Sequence, residues 1–173
     1  MGIKVNNLSK NIVDIMTALS QNQGLAQLLV NNEQNPFQKQ ITNLKDIARP
    51  SSDICRIYPY PFDPEAQIED SSFIRVYYNQ AEFNSNETIQ EMDLHIDIIV
   101  AKNLWLINDN SRPLIRPYEI MDRVIDIVGK RSINNLISVK FDGWQHLAVN
   151  TKFDAIRLYS QYYSVEAENH YGF

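Results

Sequence analysis

A chain of 173 residues, 44% hydrophobic and with a formal charge of −5, is sized for one compact domain with its own core. One cysteine leaves no intrachain disulfide, and three histidines and five glycines are spaced unlike a metal motif, a nucleophilic dyad or a phosphate loop. Without a basic run the acidic balance opposes nucleic-acid binding, and no apolar run reaches membrane-spanning length.

The first pattern is helical. Leu8, Ile12, Ile15 and Leu19 repeat at three- and four-residue steps, widened by Val13 and Met16. Asn7 or Ser9 suits the N-cap. Lys10, Asn11 and Asp14 interrupt the apolar run, so it does not read as a secretory leader. Asn22, Gln23 and Gly24 break the helix, with Gly24 expected to supply a positive φ. Leu25, Leu28 and Leu29 then make a short second helix or turn.

Residues 31–53 are polar and punctuated by Pro36 and Pro50; Ile41, Leu44 and Ile47 are spaced for a short helix. Residues 54–60 read as a first strand, ended by Pro59, Pro61 and Pro64, which cannot donate to a ladder. Cys55, flanked by Ile54 and Ile57, reads as a small buried side chain. Residues 63–70 carry Asp63, Glu65, Glu69 and Asp70 and read as a solvated connection.

Residues 73–78 form a second strand, with Ile74, Val76 and Tyr78 on one face and Phe73, Arg75 and Tyr77 on the other. A turn-like loop spans residues 80–88. The clearest strand follows over residues 91–102: Leu94, Ile96, Ile98 and Val100 face one way, Asp93, His95 and Asp97 the other. Together these two strands predict a long antiparallel hairpin.

Residues 108–113 are a turn-rich connection. Pro117 and Glu119 open a helix whose stripe is Ile120, Val124, Ile127 and Val128, with Gly129 expected as its cap and Lys130 and Arg131 at the favourable dipole end. Two further strands are expected over residues 136–141 and 154–163, joined through Gly143, Trp144 and Asn150, before a polar tail at 164–173. The order predicts an α+β fold: one domain over residues 1–163, an antiparallel or mixed β-sheet with a long hairpin, packed against two main helices.

Asp93, His95 and Asp97 are the group with most chemical potential. One imidazole between two carboxylates on one strand face has the chemistry of a metal site or a base, and a small metal-dependent hydrolase is the enzyme reading it supports. Ligands along one straight strand fan out in a line, however, so a polar or interfacial face is the simpler reading. Asp142 and His146 flank a turn with no serine or cysteine beside them. Tyr58, Tyr60 and Phe62 alternate with Pro59 and Pro61, as local packing or as a contact ridge. Arg56, Arg75 and Arg157 are placed to bridge to acids on neighbouring strands or subunits. Glu82, Glu87 and Glu91 surround the hairpin end, with Tyr77 and Arg75 nearer its base. The candidate interface is Tyr58, Tyr60, Phe62, Arg75, Tyr77, Glu82, Glu87, Glu91, Asp93, His95 and Asp97; the sequence calls for no catalytic residue, metal or cofactor.

Three segments carry a resemblance: the Leu8-Ile12-Ile15-Leu19 helix, the strand over residues 91–102, and the run Arg116-Pro117-Tyr118-Glu119-Ile120-Met121 opening the later helix. In this order, across residues 5–163, the chain resembles the tail-terminator proteins of long-tailed bacteriophages. The resemblance implies a virion protein of the tail or neck, assembled in the host cytoplasm. It implies a ring, commonly hexameric, that caps the tail tube, stops its polymerisation and joins it to the head connector or stopper, in some phages also meeting the sheath. It offers no catalytic residue. In such a ring the hairpin acids would line an acidic rim past which DNA moves without specific binding. A tail-tube subunit or another neck or head-completion subunit fits the same pattern. Residues 31–70 depart from a minimal version, as an insertion or an arm reaching a neighbour.

Overall fold

The computed structural model describes residues 5–67, 69–83, 85–86, 89–134 and 137–163. The architecture is α+β, with helices on one face of a mixed sheet in the order β1 (Ile57–Tyr58), β2 (Ser72–Phe83), β3 (Ile89–Ala101), β9 (Phe153–Tyr163), β8 (Gly143–Ala148).

Helix α1, Leu8–Ser20, buries Ile12, Ile15, Met16 and Leu19 and leaves Val13 in solvent. Its break from α2, Gln23–Val30, does not use a left-handed glycine. Asn22 is the N-cap, its side-chain oxygen accepting from the Leu25 N–H at 2.8 Å. Gly24 lies inside α2 without a positive φ; an added Cβ there would sit 2.9 Å from Arg123 Nε, so close packing explains the glycine.

The polar stretch after α2 is stitched to its own domain. The Gln27 amide donates to the carbonyls of Phe37 and Lys39, and the Asn31 amide to those of Pro36 and Lys39. A 3-10 turn at Leu44–Ala48 inserts Ile47 into the core.

The expected first strand shrinks to β1, Ile57–Tyr58, parallel to β2 with Ile57 opposite Ile74. Cys55 and Arg56 instead spend their N–H groups on the carbonyls of Ser52 and Ile47, and Pro59 has none to give. Cys55 is buried. The hairpin is longer than its apolar alternation: β2 runs Ser72–Phe83 and β3 Ile89–Ala101. An irregularity at Asn79 lets the register pass from Tyr78↔Leu94 to Gln80↔Asp93 and continue.

After β4, Leu106–Asn108, and β5, Pro113–Ile115, comes α3, Arg116–Val124, which ends in one π turn, Ile125–Gly129. Gly129 is not left-handed; its missing side chain makes room for Phe141, whose ring carbon would lie 3.1 Å from a Cβ. The strand expected over 136–141 is, as far as it is described, the short β7, Ile137–Ser138, paired with β6, Ser132–Asn134, outside the main sheet. The main sheet is completed by β9, Phe153–Tyr163, and by β8, Gly143–Ala148, where a connection was expected. An edge strand with Trp144, Gln145 and His146 all exposed has no apolar alternation to announce it. The tail at 164–173 lies outside the described residues.

The helix-facing side of the sheet (Ile74, Val76, Ile96, Ile98, Val100, Ile156, Leu158) is buried to 1% exposure or less. Ile96 sits centrally on β3, flanked by Val76 and Leu158. Ile96→Ala is expected to cost about 2–5 kcal/mol, read as a lowered midpoint in denaturant with unchanged slope.

Candidate functional site

The opposite face of the sheet gathers the polar and aromatic side chains. Register sets them in two rows: Arg75, Asp97 and Arg157 across β2, β3 and β9, and beside it Tyr77, His95 and Tyr159.

Asp97 is the hub. Arg157 donates from Nε to Oδ1 at 2.7 Å and from Nη2 to Oδ2 at 2.9 Å, a two-point grip. The Tyr77 hydroxyl donates to Oδ2 at 2.7 Å and accepts from Arg157 Nη2 at 2.9 Å. Burial, then the Asp97 carboxylate, pushes the Tyr77 hydroxyl well above the usual tyrosine range. Hydrogen bonding to Asp97 raises Arg157. Both oxygens of Asp97 are therefore engaged by this chain's own donors.

Arg75 faces Asp97 in the register but goes the other way. Its guanidinium lies 4.1 Å from the Tyr58 ring centre, and Tyr60, Phe62 and Phe73 stand within 5.5 Å. Phe62 also packs on Phe73 and edge-on to Phe153. The segment after β1 thus folds back across the sheet face and closes an aromatic box on a buried cation. Burial lowers the Arg75 pKa, and its Nε and Nη1 have no hydrogen-bond partner among the described residues. Burial, then Cys55, pushes Tyr58 up to about 12, and its hydroxyl donates to the Cys55 carbonyl.

His95 meets Tyr77 edge-on at 5.7 Å, and its Nδ1 is buried without a hydrogen-bond partner among the described residues. Burial and then Arg157 lower its pKa from 6.5, against the pull of Asp97 and Asp93. The folded state thus holds the neutral imidazole while the unfolded chain takes up the proton near pH 6.5. Its contribution is fully present above pH 6.5 and is lost as pH falls towards the lowered folded value. His95→Gln is expected to flatten the fall in stability below pH 6.5, measured by denaturant unfolding at stepped pH.

At the far end of the hairpin Glu82 stands directly opposite Glu91, and Gln80 opposite Asp93. Glu87 lies outside the described residues. His146 does not pair with Asp142: its Nε2 lies 3.3 Å from Asp154, and the extended β8 carries it away from Asp142. Arg56 donates to the carbonyls of Asp53 and Cys55 instead of to an acid.

Of the sequence candidates, Tyr58, Tyr60, Phe62, Arg75, Tyr77, His95 and Asp97 come together on this face. Asp93 lies further along β3 towards Glu82 and Glu91. A second feature was not anticipated: Trp105, Tyr118, Trp144 and His146 form a run of edge-on and tilted rings 5.7–6.4 Å apart. Its members come from three elements, so no local spacing could reveal it.

Among the described residues no three His, Cys, Asp or Glu are grouped to hold a metal ion. The grip of Arg157 and Tyr77 on Asp97 also argues against the Asp93-His95-Asp97 group as a ligand set. No helix among the described residues is long and apolar enough to cross a membrane. Comparison with curated proteins finds no match. A family model, YomW, matches residues 22–162, from the cap of α2 nearly to the end of β9. That span takes in the whole sheet and the Arg157–Asp97–Tyr77 face, and the chain accordingly belongs to the phage-associated YomW family.

Proposed function

We propose that this protein is a ring-forming structural component of a long-tailed phage virion, the subunit that caps a finished tail tube, ends its polymerisation and joins it to the head connector. The observation that carries this reading is the overhang of the β2–β3 hairpin. Ser72 to Tyr77 are buried, whereas residues 79–83 are exposed although β2 is still paired with β3. On the β3 side of the same stretch Ile89 and Met92 stay buried in a small cluster with Leu8 and Tyr78, so it is the β2 side of the hairpin end that stands open as an arm for a partner. The Arg157–Asp97–Tyr77 cluster on the sheet face supports a structural role as well, since its members satisfy one another and leave Asp97 no free oxygen. The partners on this reading are copies of the chain, commonly six, then the tail-tube protein, the connector or stopper, and a sheath where one exists. The carboxylates of Glu82, Glu91 and Asp93 repel passing DNA.

Native mass spectrometry with negative-stain imaging of the purified protein tests the proposal. Closed rings of fixed number are expected. Open-ended tubes would move the protein to the tail-tube reading, which the same hairpin supports. A monomer that stays monomeric when mixed with tail tubes would sink both.

A further inference from the structure

The main sheet has two open edges. Strand β8 pairs only with β9, and β2 meets β1 only at Ile74 and Arg75, so residues 76–83 have no strand on that side among the described residues. Large exposed apolar side chains gather at both edges. Trp144 on β8 and Tyr118 packed on it, 48% and 42% exposed, continue the aromatic run, and Leu106 and Ile115, paired across β4 and β5, are 62% and 36% exposed. Val13 and Tyr60, 55% and 53% exposed, line a groove of about 570 Å³ between α1 and the β2 edge, with Leu8, Ile12 and Pro61 in its walls. One patch is an aromatic ridge, the other a groove walled by aliphatic, proline and tyrosine side chains.

Charge follows the same division. Glu82 and Glu91 face each other across the β2–β3 ladder, an arrangement that destabilises a hairpin unless a cation comes between. No cation among the described residues reaches either. At the β8 edge, exposed Lys140 precedes the strand. The Ser160 hydroxyl donates to its carbonyl at 2.6 Å, and Ser160 aligns with Leu94 and Tyr78. Lys140 therefore lies on the edge opposite Glu82 and level with Tyr78, nearer the hairpin base than Glu82, so copies that bring it to Glu82 and Glu91 are staggered along the strands.

From these facts we infer that the two edges are the halves of one head-to-tail contact between copies of this chain. The β8 edge and aromatic ridge of one copy dock on the β2 edge and apolar groove of the next, with Lys140 brought towards Glu82 and Glu91. The inference deepens the ring reading and rests on it: unlike surfaces in contact propagate, closing where the rotation per subunit closes. Ridges rich in tryptophan and tyrosine are the composition of interface hot spots.

Two doubly substituted chains test it, all four sites being exposed. Tyr118→Asp with Trp144→Asp spoils the β8 edge; Val13→Asp with Tyr60→Asp spoils the β2 edge. Circular dichroism and thermal melting matching the parent show that both still fold. Each alone is expected to be monomeric by native mass spectrometry. Mixed equally, they are expected to give a two-chain species and nothing larger, because only one junction in the pair is intact. Lys140→Glu is expected to weaken assembly about tenfold and to be rescued by Glu82→Lys with Glu91→Lys. Rings that survive either double substitution would overturn the contact and leave the ring reading standing, and so would a homodimer of either variant. Open filaments from the parent chain, with the mixed pair still forming, would keep the contact and remove the ring. A parent chain that never self-associates would remove both.

Discussion

Arg116→Met is expected to destabilise the fold by about 3 kcal/mol or more, the largest effect of any single change at a polar residue. Arg116 is fully buried yet has no carboxylate partner within hydrogen-bond reach among the described residues. Its guanidinium donates to four carbonyls: Leu104 at 2.9 Å, Leu28 at 2.6 Å, Asn31 at 2.8 Å and Glu33 at 3.2 Å. Leu28 is in the last turn of α2 and Asn31 is its C-cap, so the cation sits where the helix leaves carbonyls without partners and where its dipole is negative. One side chain thereby ties the end of α2 to the 3-10 turn before β4 and to the start of α3. Burial pushes its pKa down to about 10, which keeps it charged at neutral pH. Methionine would fill the volume and strand the acceptors. Arg116→Lys should fare little better, since one ammonium cannot span the four positions. Denaturant midpoints of the two variants measure this; a methionine variant within 1 kcal/mol of the parent, on the scale of a surface change, would mean that water satisfies those carbonyls.

Asp97→Ala is expected to cost about 3 kcal/mol, because Arg157 and the Tyr77 hydroxyl would both lose their partner in a largely covered site. The informative comparison is Asp97→Leu with Arg157→Met, which removes both charges and refills the space. That pair is expected to recover most of the loss, as apolar replacements of buried ion pairs do. Recovery marks the pair as a strand-registering device. Should the double variant stay as unstable as the single one, the Tyr77 hydroxyl or the shape of the site would be the stabilising element. Equilibrium unfolding of all three variants decides.

The elements with a strong period were legible in the chain. Ile12, Ile15 and Leu19 on α1, Leu94 to Val100 on β3, and Ile120 and Val124 on α3 all turn inward as their spacing predicts. Arg157 could be named as a bridge to an acid, but that the acid is Asp97, sixty residues away, depends on sheet order. The box around Arg75 was half visible: Tyr58, Tyr60 and Phe62 are close in sequence, while the cation they cover is on another strand. What local pattern concealed was whatever lay at an edge or used a polar side chain for a backbone purpose. Strand β8 has too little buried surface to alternate. Asn22 caps α2 at the break assigned to Gly24, and Arg116 closes the other end of that helix, where no cap had been assigned.

The sheet order also governs how the chain can acquire its structure. Strand β3 is central, yet one of its neighbours, β9, follows it by more than fifty residues, and Asp97 waits for Arg157 across that gap. Until β9 arrives, β3 offers a bare hydrogen-bonding edge with Ile96, Ile98 and Val100 uncovered beside it, while the β2–β3 hairpin can already form. Contacts this distant in sequence are slow to close, and an unpaired apolar strand invites the wrong neighbour. Chains interrupted before Phe153 should therefore collect as aggregates, and refolding yield should fall with protein concentration more steeply than the size of the domain alone would suggest.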